Sequence, residues 1–188
     1  FRDLDITGLK ELTRLKKLSL SYCGIKDISP LSSLPALEEA DLSGNEIEPA
    51  DQKQFSNRDT EAMVRILLGK PTGSLTPEEL GSIESLEMTV CLQSYDFQDL
   101  SKLTGLKSLS IQFSKGTYYT NLEAVGKLTK LEKLSISPYS AGLEDISAFG
   151  TLTNLKEFDV PFLVTEENLN TLKKLTGLEK MKWPGKDL

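Results

Sequence analysis

Cys23 and Cys91 are the two thiols of the chain and the first place to look for covalent chemistry. A nucleophilic thiol needs a neighbouring base or cation to lower its pKa, and histidine, the commonest such partner, is absent from all 188 residues. That absence excludes hydrolytic triads and imidazole metal sites. Glu144-Asp145 and Glu166-Glu167 pair carboxylates, but no D-x-D-x-D run gathers the six or so oxygens that Ca²⁺ requires. They read as helix starts or solvated charge, with Thr165 as an ordinary cap before Glu166. No catalytic, cofactor-binding or metal-ligating residue is assigned, and no enzyme activity is expected. The chemistry that remains is recognition.

Two sets of residues could carry it. Ser108 and Ser110, then Ser135 and Ser137, place small hydroxyls at alternate positions and would form a shallow polar floor. Aromatic side chains gather in "QFSKGTYYTN", "SPYSAG" and "PFLVTEEN", which contribute Phe113, Tyr118, Tyr119, Tyr139 and Phe162, with Tyr95 ahead of them. Aromatics on Gly- and Ser-rich loops are typical of recognition surfaces. The competing account is that several turn inward to fill the core. Tyr118, Tyr119 and Tyr139 are the three expected to be partly exposed.

The elements that position these residues are legible from the leucines. Written as L-x-x-L-x-L-x-x-C, the segment from Leu15 gives Leu18, Leu20 and Cys23, and the next frame gives Leu37, Ala40, Leu42 and Asn45. The same frame recurs at Ile83, Leu106, Leu131, Leu155 and Leu178. This matches the leucine-rich repeat, in which one short strand is followed by a returning segment on the opposite side. Alternation along each strand buries one face and leaves the other in solvent. The expected fold is α/β: a solenoid with a curved parallel sheet on its concave side, short helices or 3-10 turns on its convex side, and a helical hairpin in the middle. At the ninth position Asn or Cys normally satisfies the turn, but the later coils carry Ser114, Tyr139 and Leu163 there, so those turns must be satisfied in another way. Cys23 and Cys91 share that repeat phase at least two coils apart, too far to bridge, and read as structural thiols.

Between Asn45 and Ile83 the beat stops. Ser56-Asn-Arg-Asp59 opens a helix that ends at Gly69 with Pro71 behind it, and Thr76-Pro77-Glu78-Glu79 opens a second with a capping box. The chain therefore divides into repeats at 1–48, a helical hairpin cap or insertion at 49–82, and a second set of repeats at 83–188. Two organisations fit this: residues 1–48 end one array and the hairpin caps another, or the hairpin is inserted into one continuous horseshoe.

The run "DTEAMVRILLGKPTGSLTPEELGSIESLEM" resembles the helical cap that opens internalin-like repeat arrays of bacterial surface proteins. Likewise "LKKLSLSYCGIKDISPLSSLPALEEADLSGNEI" is similar to the 22-residue repeat subclass shared by internalins and eukaryotic phosphatase-regulator proteins. The resemblance implies a non-enzymatic protein-binding module of a bacterial secreted or cell-surface protein, meeting a host or cell-surface protein. A glycan is the other ligand class the tyrosine rim would admit. The alternatives are an intracellular regulatory scaffold of the phosphatase-regulator type, or the substrate-recognition arm of a larger enzyme. A net charge of −6 with lysines interleaved among acids argues against nucleic acid. No stretch approaches the roughly 20 apolar residues of a membrane helix, so no membrane insertion is expected in this segment.

Overall fold

The computed structural model describes residues 4–48, 53–91, 93–114, 116–137 and 142–182. Tyr139, Trp183 and Pro184 lie outside them. Where L-x-L alternation runs, it forms short strands: β1 (Lys17–Ser19), β2 (Glu39–Asp41), β3 (Ser85–Val90), β5 (Ser108–Phe113), β7 (Lys133–Ser137), β8 (Glu157–Asp159) and β9 (Lys180–Met181). These form one seven-stranded parallel sheet in the order β1-β2-β3-β5-β7-β8-β9. Register preserves the repeat frame, with Leu86, Leu109, Leu134 and Phe158 opposite one another along the inner face. Two further strands, β4 (Ser94–Asp96) and β6 (Tyr118–Thr120), form a small parallel sheet just beyond the main one.

Outside the interruption between β2 and β3, the chain crosses the convex side through 3-10 turns, at Thr7–Glu11, Leu31–Ser33, Phe97–Lys102, Leu122–Lys127 and Ser147–Thr151, and the last return uses helix α3 (Glu166–Leu172). The convex leucines and their partners, Leu100, Leu103, Val125, Leu128, Ile146, Phe149 and Leu152, are fully or almost fully buried and close the core against the sheet. Neighbouring returns touch backbone to backbone: a Cβ on Gly126 would lie 2.1 Å from the Ala148 carbonyl oxygen. Thr165 caps α3 as its sequence position predicts, accepting from the Asn168 amide at 3.2 Å.

The turns after the strands are closed by asparagine. Asn45 Oδ1 accepts from the Cys23 and Ile25 amides at 3.0 Å each, while its Nδ2 donates to the Leu20 and Leu42 carbonyls at 2.8 and 2.7 Å. One amide side chain thus satisfies backbone groups of two coils. In the later coils, where the ninth position has drifted to Leu163, Asn168 takes over from the first turn of α3. It accepts from the Ile146 amide at 3.0 Å and donates to the Glu144 and Leu163 carbonyls at 2.8 Å. The two cysteines are free and half-buried rather than fully buried, and Cys23 Sγ donates to the Ser21 carbonyl at 3.3 Å.

The interruption folds as two helices, α1 (Arg58–Leu67) and α2 (Pro77–Gly81). Asn57, rather than Ser56, caps α1, accepting from the Thr60 amide at 2.8 Å. Gly69 ends it at φ +60°, a left-handed conformation that a Cβ disfavours. At α2 the capping box forms as expected: the Glu79 amide donates to Thr76 Oγ1 at 3.2 Å and the Thr76 amide to Glu79 Oε2 at 2.8 Å. Every residue from Asp59 to Ile66 is buried, because α1 lies between the Leu31–Ser33 return and β3. Arg65, 2% exposed, pairs with Glu61 at 2.9 Å and donates to the Gly73 carbonyl at 3.0 Å. Glu61 Oε2 in turn accepts from the Gln54 and Phe55 amides at 3.1 Å.

Candidate functional site

The outward face of the sheet is built from the polar half of each strand's alternation. β5 is half-buried or exposed at Ser108, Ser110 and Gln112 and buried at Leu109, Ile111 and Phe113. Parallel register then sets Ser110 directly opposite Ser135, Gln112 opposite Ser137, and Ser108 between Ser85 and Lys133. All four sequence-selected serines therefore share one patch. They lie in and beside a shallow trough of about 490 Å³ that continues to Lys133, Glu157 and Lys180. Charges beside the serines are paired across strands, Lys133 with Glu157 at 2.9 Å and Lys182 with Asp159 at 3.5 Å. Ser43, placed on the same face by the frame, instead turns back to donate to Asp41 Oδ1 at 2.5 Å and is fully buried.

The aromatic rim is smaller than its sequence implies. Tyr118 stands 78% exposed on β6. Tyr119 is half-buried, its ring 6.2 Å from those of Phe97 and Phe113. Phe113 and Phe162 correct the expectation, being only 6% and 2% exposed. The reason is parity: Phe113 follows Leu109 and Ile111 at period two, and Phe162 follows Phe158 and Val160 likewise, so both point inward. Tyr95 is also core. It packs edge-on against Phe97 at 5.1 Å and shares a 3.0 Å hydrogen bond with Thr60 Oγ1, and burial pushes its phenol above the ordinary range. Tyr139 lies outside the described residues. An aromatic that the loop argument missed is Tyr22, 63% exposed just beyond β1. Its ring lies over Gly44, where a Cβ would approach to 2.4 Å, and its place directly after a strand was the signal available.

The hairpin meets the sheet and the third coil through carboxylates. Asp99 accepts from Ser56 Oγ at 2.5 Å and from Lys102 Nζ at 2.6 Å. Burial pushes this carboxyl up, but the Lys102 and Ser56 hydrogen bonds outweigh it and leave it below the usual carboxylate range. Asp59, in the first turn of α1, is the opposite case: burial, with Asp41 adding to it, pushes its carboxyl up to about 6. Among the described residues no three His, Cys, Asp or Glu side chains converge as a metal cage.

Residues 13–52 match the family described as Leucine Rich repeats, two copies. An internalin (InlF) of Listeria monocytogenes has the same architecture, with a TM-score of 0.56 over 97% of this chain and 52% of that one at 22% identity. The chain has the leucine-rich-repeat solenoid fold. The likeness to the internalin is one of fold. Among curated proteins, leucine-rich repeat-containing protein 56 of Homo sapiens is 43% identical over 51 residues, and that of Mus musculus 41% identical over 51. Each match takes in 27% of this chain and 9% of the curated relative, so the solenoid spans a small part of those proteins' length. Among the described residues no helix of the solenoid is long and apolar enough to cross a membrane.

Proposed function

We propose that this solenoid is a non-enzymatic protein-binding module of a bacterial secreted or cell-surface protein, recognising its partner through the concave sheet face and the tyrosine rim. The observation that carries the binding reading is the sheet face itself. Seven strands present an ordered row of outward side chains, and Ser108, Ser110 and Ser135 line part of a trough that Lys133, Glu157 and Lys180 continue. Structural need does not call for serine at these places, since the core lies on the other face. The bacterial surface setting is supported by the cap-like run through Leu68-Gly69-Lys70-Pro71 and Thr76 to Leu80. A host or cell-surface protein is the partner class this reading names.

A regulatory scaffold of the eukaryotic type is the second reading, favoured by the 43% identical segment shared with the human repeat protein. Both readings place the contact on the same face. The test is a binding screen of the purified chain against extracellular and intracellular protein panels, followed by S110R/S135R and Y118A on any partner found. Filling the trough should weaken binding at least about tenfold, and removing the Tyr118 ring by several-fold. Undiminished affinity in both variants would remove the concave face and rim from the function.

A further inference from the structure

The small sheet of β4 and β6 stops at β4, although the main sheet beside it continues past β3 to β2 and β1. β4 pairs with β6 in parallel, and the Tyr118 amide donates to the Gln93 carbonyl at 2.9 Å. Successive residues of a strand turn their backbone groups to opposite sides, so Gln93 and Tyr95 serve β6 while Ser94 and Asp96 face away from it. The Ser94 amide and carbonyl and the Asp96 amide therefore form a bare strand edge, bonded by no other backbone group among the described residues. Directly beside that edge lies a recess of about 560 Å³, lined by Ser94 and Asp96, by Gly44 and Asn45 of the turn after β2, and by the start of α1 from Ser56 to Asp59. Its volume falls within the roughly 300–1,000 Å³ of ordinary ligand sites.

Most polar groups around the recess are already committed. Asn45 gives its whole side-chain amide to four backbone groups, Asn57 Oδ1 accepts from the Thr60 amide, and Ser56 is held by Asp99. Asp96 Oδ1 accepts from the Gln98 amide and from Asn121 Nδ2 at 2.8 Å each. Asp59 is the exception. The residue is 9% exposed, and its buried Oδ2 has no hydrogen-bond partner, which is costly for a carboxylate. Arg58 is exposed and does not turn back onto it, because neighbours in sequence on a helix do not face each other. Two unmet demands therefore share one recess: the backbone groups of a strand edge, and a carboxylate without the positively charged donor that suits it best. At the Gly44 side stands the Tyr22 ring, 63% exposed, an aromatic of the kind that anchors a partner.

We infer that β4 is a docking edge: an extended segment of the protein partner adds to it as a further strand and sends a lysine or arginine side chain into the recess to meet Asp59. An added strand lies about 4.8 Å from its neighbour, and its residue level with Tyr95 points to the same inner side. That side is where the first turn of α1 sits, since Tyr95 shares its 3.0 Å hydrogen bond with Thr60, the residue after Asp59. Main-chain bonds to Ser94 and Asp96 supply affinity, and the basic side chain supplies specificity. The inference rests on the reading of the chain as a protein-binding module, and adds a contact at the rim to that on the concave face.

The probe is a short peptide of alternating threonine and valine with one central lysine, compared with a twin carrying central glutamate and with two copies N-methylated along opposite edges. Titrated into isotope-labelled wild type, the lysine peptide should shift the Ser94 and Asp96 amide resonances and bind at least about tenfold more tightly than the glutamate peptide. One methylated copy should lose binding and the other keep it, because only one edge of the peptide meets β4. D59N should erase the preference for lysine. S94P, which removes an edge donor and leaves the β6 ladder intact, should weaken the lysine peptide several-fold. Both replacements act on groups that the fold leaves unpaired, so the variants should stay folded, as circular dichroism would verify; D59N carries the test alone if S94P does not. No binding of the lysine peptide, a preference for lysine that survives in D59N, or equal behaviour of the two methylated copies overturns the proposal. A partner from the binding screen that is lost in S110R/S135R but indifferent to D59N and S94P would remove the rim contact alone, so the two readings fail separately.

Discussion

At the residue scale, one asparagine does the work of several backbone partners. Asn45 and Asn168 each join two coils through backbone groups that would otherwise be buried unpaired, and Ile146 itself is fully buried. Replacing Asn168 with Ala leaves the Ile146 amide and the Glu144 carbonyl without the partner Asn168 gave them, while the Leu163 carbonyl keeps the Thr165 amide, so N168A should cost about 2–3 kcal/mol in denaturant unfolding. Asp59 makes a prediction with a definite sign. Its folded carboxyl lies at about 6, above its ordinary value of 3.8, so the cost of keeping it ionised is present at pH 7 and is relieved as pH falls through 6. The titratable and charged groups around it are Asp41 from β2, the buried Tyr95 hydroxyl and Asp96, with Arg58 next to it on α1. Wild type should gain on the order of 1 kcal/mol between pH 7 and pH 5 from this group. D59N should flatten that slope in urea titrations at the two pH values. The carboxyls held low, among them Asp99, Glu79 and Asp145, give up their stabilisation only further toward acid, which keeps the window clean.

At the scale of elements, the hairpin depends on an ion pair that is almost wholly buried. Arg65 and Glu61 are one turn apart on α1, and between them they hold Gln54, Phe55 and Gly73 through backbone groups. Breaking a buried pair strands its remaining charge, so R65M should destabilise the chain by about 3–5 kcal/mol, and E61Q/R65M should recover part of that loss. A thermodynamic cycle over the two single variants and the double variant measures it. The convex returns offer a second element-scale test. Because a Cβ at Gly126 would meet the Ala148 carbonyl at 2.1 Å, G126A should force two returns apart and lower stability by more than about 1 kcal/mol. Gly116 is the control, since nothing lies within 4 Å of its added Cβ; its φ of +82° then reports backbone strain alone.

For the whole molecule, the question is whether the first two coils and the later ones behave as one body. The sheet runs through β2 and β3, α1 packs on the Leu31–Ser33 return, and Ser56 and Lys102 meet on Asp99. A solenoid is stabilised by each coil covering its neighbour, so cooperativity follows contact rather than sequence order. We expect calorimetric unfolding to show a single transition whose van't Hoff and calorimetric enthalpies agree. Two transitions that merge in E39Q/E87Q, which removes the like charges set opposite one another on β2 and β3, would place a weak joint there and make residues 1–48 a separable unit.

Local pattern was sufficient for the solenoid, for the inner and outer halves of the strands of the main sheet, for the capping box of α2 and for the Thr165 cap of α3, because each depends on residues within one coil. Parity alone would also have turned Phe113 and Phe162 inward, had their strands been carried two residues further. Three things required the folded chain. Asn168 replaces a ladder position five residues away, because α3 swings its first turn under the strand end. Tyr95 and Tyr118 lie 23 residues apart with similar loop surroundings, yet one is core and the other solvent, because β4 pairs with β6 and settles which side each presents. Glu39 of β2 and Glu87 of β3 become direct neighbours across the interruption, with Lys17 reaching both. Like charge brought together over such distances is invisible to local pattern, since only the stacking of coils decides which side chains become neighbours.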